Sequence, residues 1–279
     1  MKSSRFSTII LLTVVSIALA SCSFERKFGQ NFIATEASKS VVFLEPTGYL
    51  FKTNLKNTSA PKGAKLKQTE LEAIKFENSK FLKLISDSIF LTRFTEAYMA
   101  ELNALGLNVC LDGASATDCP PRAHNFKITI DQLELQEFDK TITDEQYIYN
   151  TVYQKDINLE AVSMHAWFLI TETANTNRQP KALYAENQLA EEIVKSGFLK
   201  SRKTGKILHQ LKTDKLSLSK IYAMAEELGR KYASYSFDYI LNHYIYSSYP
   251  KNSKPQRYLH YNRFTGKLES AGDEHFTRQ

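Results

Sequence analysis

Three cysteines carry the most chemistry that can be read from this 279-residue chain. Cys22 closes the tetrad Leu19-Ala20-Ser21-Cys22 directly after an apolar run. Cys110 and Cys119 flank the short polar loop from Leu111 to Asp118. With Cys22 modified they remain as an even pair, and a pair this close in an oxidising compartment is a disulfide candidate. Closing a loop of about ten residues contributes roughly 2.5 to 3 kcal/mol on the chain-entropy argument, less any strain. Their spacing argues against zinc at these thiols.

Other candidates for catalysis fail on context. Ser59-Ala60-Pro61-Lys62 and Ser217-Leu218-Ser219-Lys220 both read Ser-x-x-Lys, and Lys203-Thr204-Gly205 matches the third motif of penicillin-recognising enzymes. The second tetrad follows that motif and so reverses the order. The first sits in a Pro/Gly loop rather than opening a helix, and no Ser-Asp-Asn lies between. Gly-x-Ser-x-Gly, a P-loop and His-Glu-x-x-His do not occur. Asp131, Glu134 and Glu137 resemble a carboxylate set for acid-base work, but on a strand they are expected to mark the solvent face. His124, His165, His209, His243, His260 and His275 are scattered singly. His165 shares a strand face with Trp167 and Leu169, and His243 lies in a helix among aromatics, so both are expected buried and hydrogen-bonded rather than ligands. No catalytic residue, metal or cofactor is expected, and the protein is read as non-enzymatic.

The residues before Cys22 explain its position. Lys2 and Arg5 give a basic start, Ile9 to Ala20 is apolar apart from Thr13 and Ser16, and small residues precede the cysteine. The apolar run is shorter than the roughly 20 residues a membrane-spanning helix needs. Residues 1 to 22 resemble bacterial lipoprotein precursors, whose lipobox ends in a modified cysteine. The resemblance implies cleavage between Ser21 and Cys22, diacylglycerol on the Cys22 sulfur and acylation (palmitate) of the new amine. Two or more acyl chains hold a protein stably on a membrane. Ser23 is not the aspartate that retains enterobacterial lipoproteins at the inner membrane, so the outer membrane, facing the periplasm, is the expected address. Loss of Lys2 and Arg5 lowers the net charge from +6 to +4. That surplus is too small to argue for nucleic acid.

The periodicity of the rest sets out the elements. Residues 22–40 are polar and irregular and read as a lipidated tether. Val41 to Leu44 reads as a short buried strand ended by Glu45-Pro46, and residues 53–68 as a loop. Thr69 to Glu72 forms a capping box opening a helical stretch. Leu91, Phe94, Tyr98, Leu102 and Leu105 recur at helical spacing, and Gly106 ends that helix. Leu107 to Leu111 alternates as a strand. Phe126, Ile128 and Ile130 have one parity and Leu133 and Leu135 the other, which predicts a β-bulge at Asp131-Gln132. Ile157 to Thr171 reads as a central strand covered on both faces, and Leu183 to Leu189 as a weaker one. A basic loop spans Lys200 to Lys206, and a long helix runs from about Leu218 to Ile245.

This order predicts one α+β domain over residues 41–246, a mostly antiparallel sheet of four to five strands with two long helices packed on one face. A Tyr-rich extension covers residues 247–279. In element order the domain is similar to the lipoproteins that accompany lipid-transporting ABC systems and to lipopolysaccharide-assembly lipoproteins. That resemblance implies a non-catalytic accessory subunit bound to an envelope protein partner. Tyr244, Tyr246, Tyr249, Tyr258 and Tyr261, interleaved with basic residues, are the candidate binding surface, since tyrosine joins a large apolar body to a polar tip. The competing expectation is that these rings staple the tail onto the domain. A periplasmic lipid- or glycan-binding lipoprotein is the alternative function.

Overall fold

The computed structural model describes residues 24–56, 67–114, 119–120, 122–148, 150–173, 182–250, 255 and 257–278. Residues 1–21, where a signal peptide is expected, and Cys22 lie outside the described residues, as do Ser59 to Lys62. The fold is α+β, but the sheet is mixed and larger than expected. Seven strands lie in the order β11 (Thr277–Arg278), β6 (Ala182–Ala190), β5 (Thr151–Glu172), β4 (His124–Ile148), β1 (Ser40–Glu45) and β3 (Asn108–Leu111), with β2 (Leu50–Asn54) also on β4. The pairings from β11 to β4 are antiparallel, whereas β1 and β2 run parallel to β4, and β3 parallel to β1.

The bulge explains the parallel half. Ladder register shifts between Ile130 and Gln132, at the position where the side-chain parity changes. β1 pairs with residues 124–129 and β2 with residues 133–137, so the two strands lie end to end along one edge of β4 with the bulge between them. The turn at Pro46 to Tyr49 is the counterpart of that kink. β2 escapes the sequence because Leu50-Phe51-Lys52-Thr53-Asn54 carries no clear alternation, and only Leu50 and Asn54 are buried.

Helices cover one face. α1 (residues 24–31) continues through one π turn and one 3-10 turn to Lys39. The tether expectation is thereby corrected: Phe32 and Ala37 are buried, and Phe32 packs its ring 5.8 Å from Phe237 and 5.1 Å from Tyr244. Apart from buried Glu25, the charged residues that suggested a tether lie on the outer side of this helical segment or are half-buried. α2 (Gln68–Glu77) has its N-cap at Lys67, two residues before the expected cap Thr69, with the Lys67 N–H donating to the Glu70 carboxylate at 2.9 Å. α3 (Asp87–Ala104) and α4 (Leu218–Ser248) are the longest and pack on each other. Their contact is set by Gly229, where an added Cβ would lie 2.4 Å from the Phe94 carbonyl oxygen. Across the layer Tyr98 stacks on Phe168 at 5.9 Å, and Tyr232 meets both Phe94 and Phe168. The Ser236 hydroxyl donates to the Tyr232 carbonyl, so the buried Tyr98 hydroxyl donates to Ser236.

The C-terminal extension folds back on the domain. β9 (Tyr258–Asn262) and β10 (Lys267–Ala271) form a hairpin beside α4, and β11 pairs with β6. A further hairpin, β7 (Glu192–Lys200) with β8 (Ile207–Asp214), places the basic loop at its turn.

Candidate functional site

Two regions have the composition of a site: the hairpin arm at one end of the sheet, and the C-terminal hairpin against α4.

The arm arises because β4 and β5 outrun their neighbours. β2 stops opposite Glu137 and β6 opposite Ala161, while β4 and β5 stay paired from Asp139–Glu160 to Ile148–Thr151. Ten residues per strand at about 3.3 Å each give a projection of about 33 Å. The β7–β8 hairpin packs across it. Phe198 is buried 5.7 Å from the Tyr153 ring, and its N–H donates to the Gln146 side chain at 2.9 Å. Asp144 pairs with His209 at 2.8 Å and accepts from Ser196; these contacts, Ser196 first, hold its carboxyl below the ordinary value. Around this junction Tyr147, Val152, Val194, Leu199, Leu208 and Leu211 are exposed, Tyr147 to 67 %. Lys195, Lys200, Arg202, Lys203, Lys206 and Lys212 lie among them on the β7–β8 hairpin. Large apolar side chains held outward on open strands are a mark of interaction surface.

In the second region α4 offers polar side chains to the tail. Asn242 accepts from the Leu259 N–H at 2.9 Å and donates to the Leu259 carbonyl at 2.7 Å, so its amide acts as a strand partner for β9. This register brings the Tyr261 N–H to Asp238 Oδ1 at 2.9 Å and His260 Nδ1 to Asp238 Oδ2, also at 2.9 Å. His275, on the segment leading to β11, places its own Nδ1 3.7 Å from the same oxygen. The two imidazoles stack with centroids 3.7 Å apart, and Tyr235 covers the His275 ring at 4.1 Å. Burial raises the Asp238 carboxyl against the lowering contacts of His260 and the Tyr261 amide. Burial and the His260 charge push His275 down to about 4. At the hairpin turn Arg263 donates through Nε and an Nη to buried Glu101 at 2.6 and 2.9 Å, pinning the hairpin to α3.

The residues singled out from sequence fall as follows. Cys110 and Cys119 are at disulfide distance, with Cα atoms 6.2 Å apart, inside the usual range for a bridge. The carboxylate set is dispersed. Asp131 is exposed at the bulge, Glu134 is half-buried and accepts from Thr53, and Glu137 is fully buried. The solvent-face expectation therefore fails for Glu137, which lies in the inward row of Leu133 and Leu135. It accepts from the N–H groups of Lys80, Phe81 and Leu82 and meets Lys56 Nζ at 3.2 Å. His165 is hydrogen-bonded as expected, to Tyr184 at 2.6 Å and Ser163 at 2.9 Å, but is only half-buried. The tyrosines do not form one surface. Tyr244 packs on Phe32 and His124, Tyr249 on Phe28, Tyr258 on His260 and Tyr261 on Phe237. Tyr246 is half exposed and shares a cleft of about 490 Å³ with Tyr239, Tyr258, Arg257 and Arg278.

Sequence reasoning missed Asp238, Glu101 and the convergence of His260 with His275. A signal existed for the carboxylates: each interrupts an apolar helical stripe, and a charge buried there needs a partner. Nothing in the sequence places residues 260 and 275 together. Among the described residues no helix is long and apolar enough to cross a membrane. Comparison with protein-family models and with curated proteins finds no match for this chain.

Proposed function

We propose that the protein is a lipid-anchored lipoprotein of the bacterial cell envelope, held through Cys22 at the outer membrane and facing the periplasm. It acts there without catalysis as an accessory subunit that binds a protein partner in envelope assembly or transport. The observation that supports partner binding is the arm, which carries outward apolar side chains beyond the main sheet, while its own buried side chains, Ile157 and Leu159, lie outside the main core cluster. The anchor is supported by the lipobox, and the oxidising compartment by the disulfide-distance pair Cys110–Cys119.

A photo-crosslinking residue at Tyr147 or Leu208, compared with one at the exposed Tyr49 on the β1–β2 turn, tests the reading in intact envelopes. A discrete protein adduct from the arm positions alone is expected. Recovery of no protein but a stoichiometric lipid or glycan would overturn it in favour of the second reading, a lipid- or glycan-binding lipoprotein. That reading is favoured by the cleft in which Tyr246 and Tyr258 meet Arg257 and Arg278. For the anchor, palmitate labelling is expected to vanish in Cys22→Ala, and labelling that persists would remove it.

A further inference from the structure

The geometry points to a divalent transition-metal site, of the zinc class, formed by Asp238, His260 and His275. The three residues come from α4, from β9 and from the segment before β11, and one ligand atom of each lies within 4.8 Å of the others. The two distances to Asp238 Oδ2, 2.9 Å from His260 Nδ1 and 3.7 Å from His275 Nδ1, bracket the separation that tetrahedral ligands need. Zinc–nitrogen bonds of about 2.0–2.1 Å require tetrahedral ligand atoms to stand about 3.3 Å apart. The set needs contraction on one side, a small opening on the other, and a rotation of the two stacked rings out of parallel so that both Nδ1 lone pairs, which lie in the ring planes, meet at one ion.

Charge argues the same way. Asp238 keeps only 4 % of its side chain exposed, and both imidazoles turn the same ring atom toward one of its oxygens. A divalent cation satisfies all three groups at once, because it binds neutral imidazole and carboxylate together. The other carboxylate oxygen is already oriented by the Tyr261 N–H, the kind of outer contact that aims a metal ligand. His275 is 36 % exposed, so the fourth position opens to water or an exchangeable ligand. Bound there, the ion would clip the C-terminal hairpin to α4, independently of the arm and of any partner.

The test uses the full chain, untagged, purified in detergent and stripped with a chelator. Titration with Zn²⁺ is expected to show one bound equivalent and a rise in melting temperature, and Co²⁺ to give the intense visible absorption of a four-coordinate ion. His275→Ala and His275→Gln, both at an exposed position, are expected to weaken Zn²⁺ binding by at least about ten- to a hundredfold. Far-UV circular dichroism should show both variants folded. Absence of saturable Zn²⁺ binding, or binding of equal strength in folded His275 variants, would overturn the assignment.

Discussion

Replacing Glu137 by alanine should be among the most damaging single substitutions in this protein. Its side chain is fully buried at the end of the inward row of β4, where it accepts from three consecutive N–H groups at 2.9, 2.9 and 3.3 Å and receives Lys56 at 3.2 Å. It serves as the cap of the turn leading into the 3-10 helix Leu82–Leu84, and so holds the segment between α2 and α3 on the sheet. Alanine leaves the Phe81 and Leu82 amides buried and unpaired at about 1–3 kcal/mol each. The Lys80 amide is partly buried, and Lys56 retains Asp139 at 3.3 Å and Glu160 at 3.8 Å, so neither adds a full penalty. The total is about 4 kcal/mol, in line with the roughly 3–5 kcal/mol for breaking one side of a buried pair. For a chain of this size that corresponds to a fall of roughly 8–16 °C in melting temperature. Glu137→Gln keeps one acceptor for Phe81 and Leu82 but turns an NH₂ toward Lys80 and Lys56, and should cost about 2 kcal/mol. Urea unfolding monitored by circular dichroism measures both. An alanine variant within about 1 kcal/mol of the native protein, or a glutamine variant as damaged as the alanine one, would refute the capping argument.

Gly229→Ala sets two effects of opposite sign against each other. In an exposed helix the change would stabilise by about 1 kcal/mol, whereas here the new Cβ meets the Phe94 carbonyl at 2.4 Å and a backbone atom cannot swing away. A net loss of about 1–3 kcal/mol is expected, and a rise in melting temperature would refute the close-contact reading. Reduction of Cys110–Cys119 should cost up to about 2.5 to 3 kcal/mol, visible as a lower urea midpoint with reductant that is absent in a Cys110→Ser/Cys119→Ser double variant. The last prediction concerns acid. Burial pushes the Glu160 carboxyl up, but the Lys80 hydrogen bond and the Lys56 and Lys80 charges outweigh it, leaving it below its ordinary 4.5. A carboxyl depressed in the folded state contributes stability above its unfolded value that is lost as pH falls through the folded one. Glu160→Gln should therefore destabilise the protein at neutral pH and flatten the loss of stability below about pH 4.5, and parallel acid profiles for the two proteins would contradict this.

Local periodicity made the backbone of the fold legible, and long-range pairing did not. The parity change between Ile130 and Leu133 located the bulge, and the stripe from Leu91 to Leu105 located α3, because both patterns are written within one element. The parallel pairing of β1 and β2 with β4 depends on contacts more than 80 residues apart, which no local pattern encodes. The β7–β8 hairpin was hidden because Val194, Leu199, Leu208 and Leu211 face outward and only Phe198 is buried, so no inward row announces a strand. Residues 22–40 read as a tether because charged and polar side chains interrupt them throughout, although Phe24, Phe28 and Phe32 recur every fourth residue and Phe28 and Phe32 hold the described part to the domain. At the C-terminal hairpin the aromatic rings drew notice, yet the register is set by Asn242, Asp238 and Glu101, polar residues whose partners lie 17 to 162 positions away.

The length of β4 gives the molecule a built-in ruler. Its first residues sit beside α1 and the C-terminal turns of α4, where His124 meets Tyr244 and Phe126 meets His243, while its last residues form the end of the arm. From His124 to Ile148 the strand has a contour of about 80 Å, somewhat less where twist coils it. Under the proposed anchoring through Cys22, two positions ahead of α1 in the sequence, the anchored end would lie against the bilayer and the outward apolar residues would stand at a set height above it. Removing two cross-strand pairs from the arm would shorten that height by about 7 Å and leave every core contact in place, so reach and stability can be varied separately in the same protein.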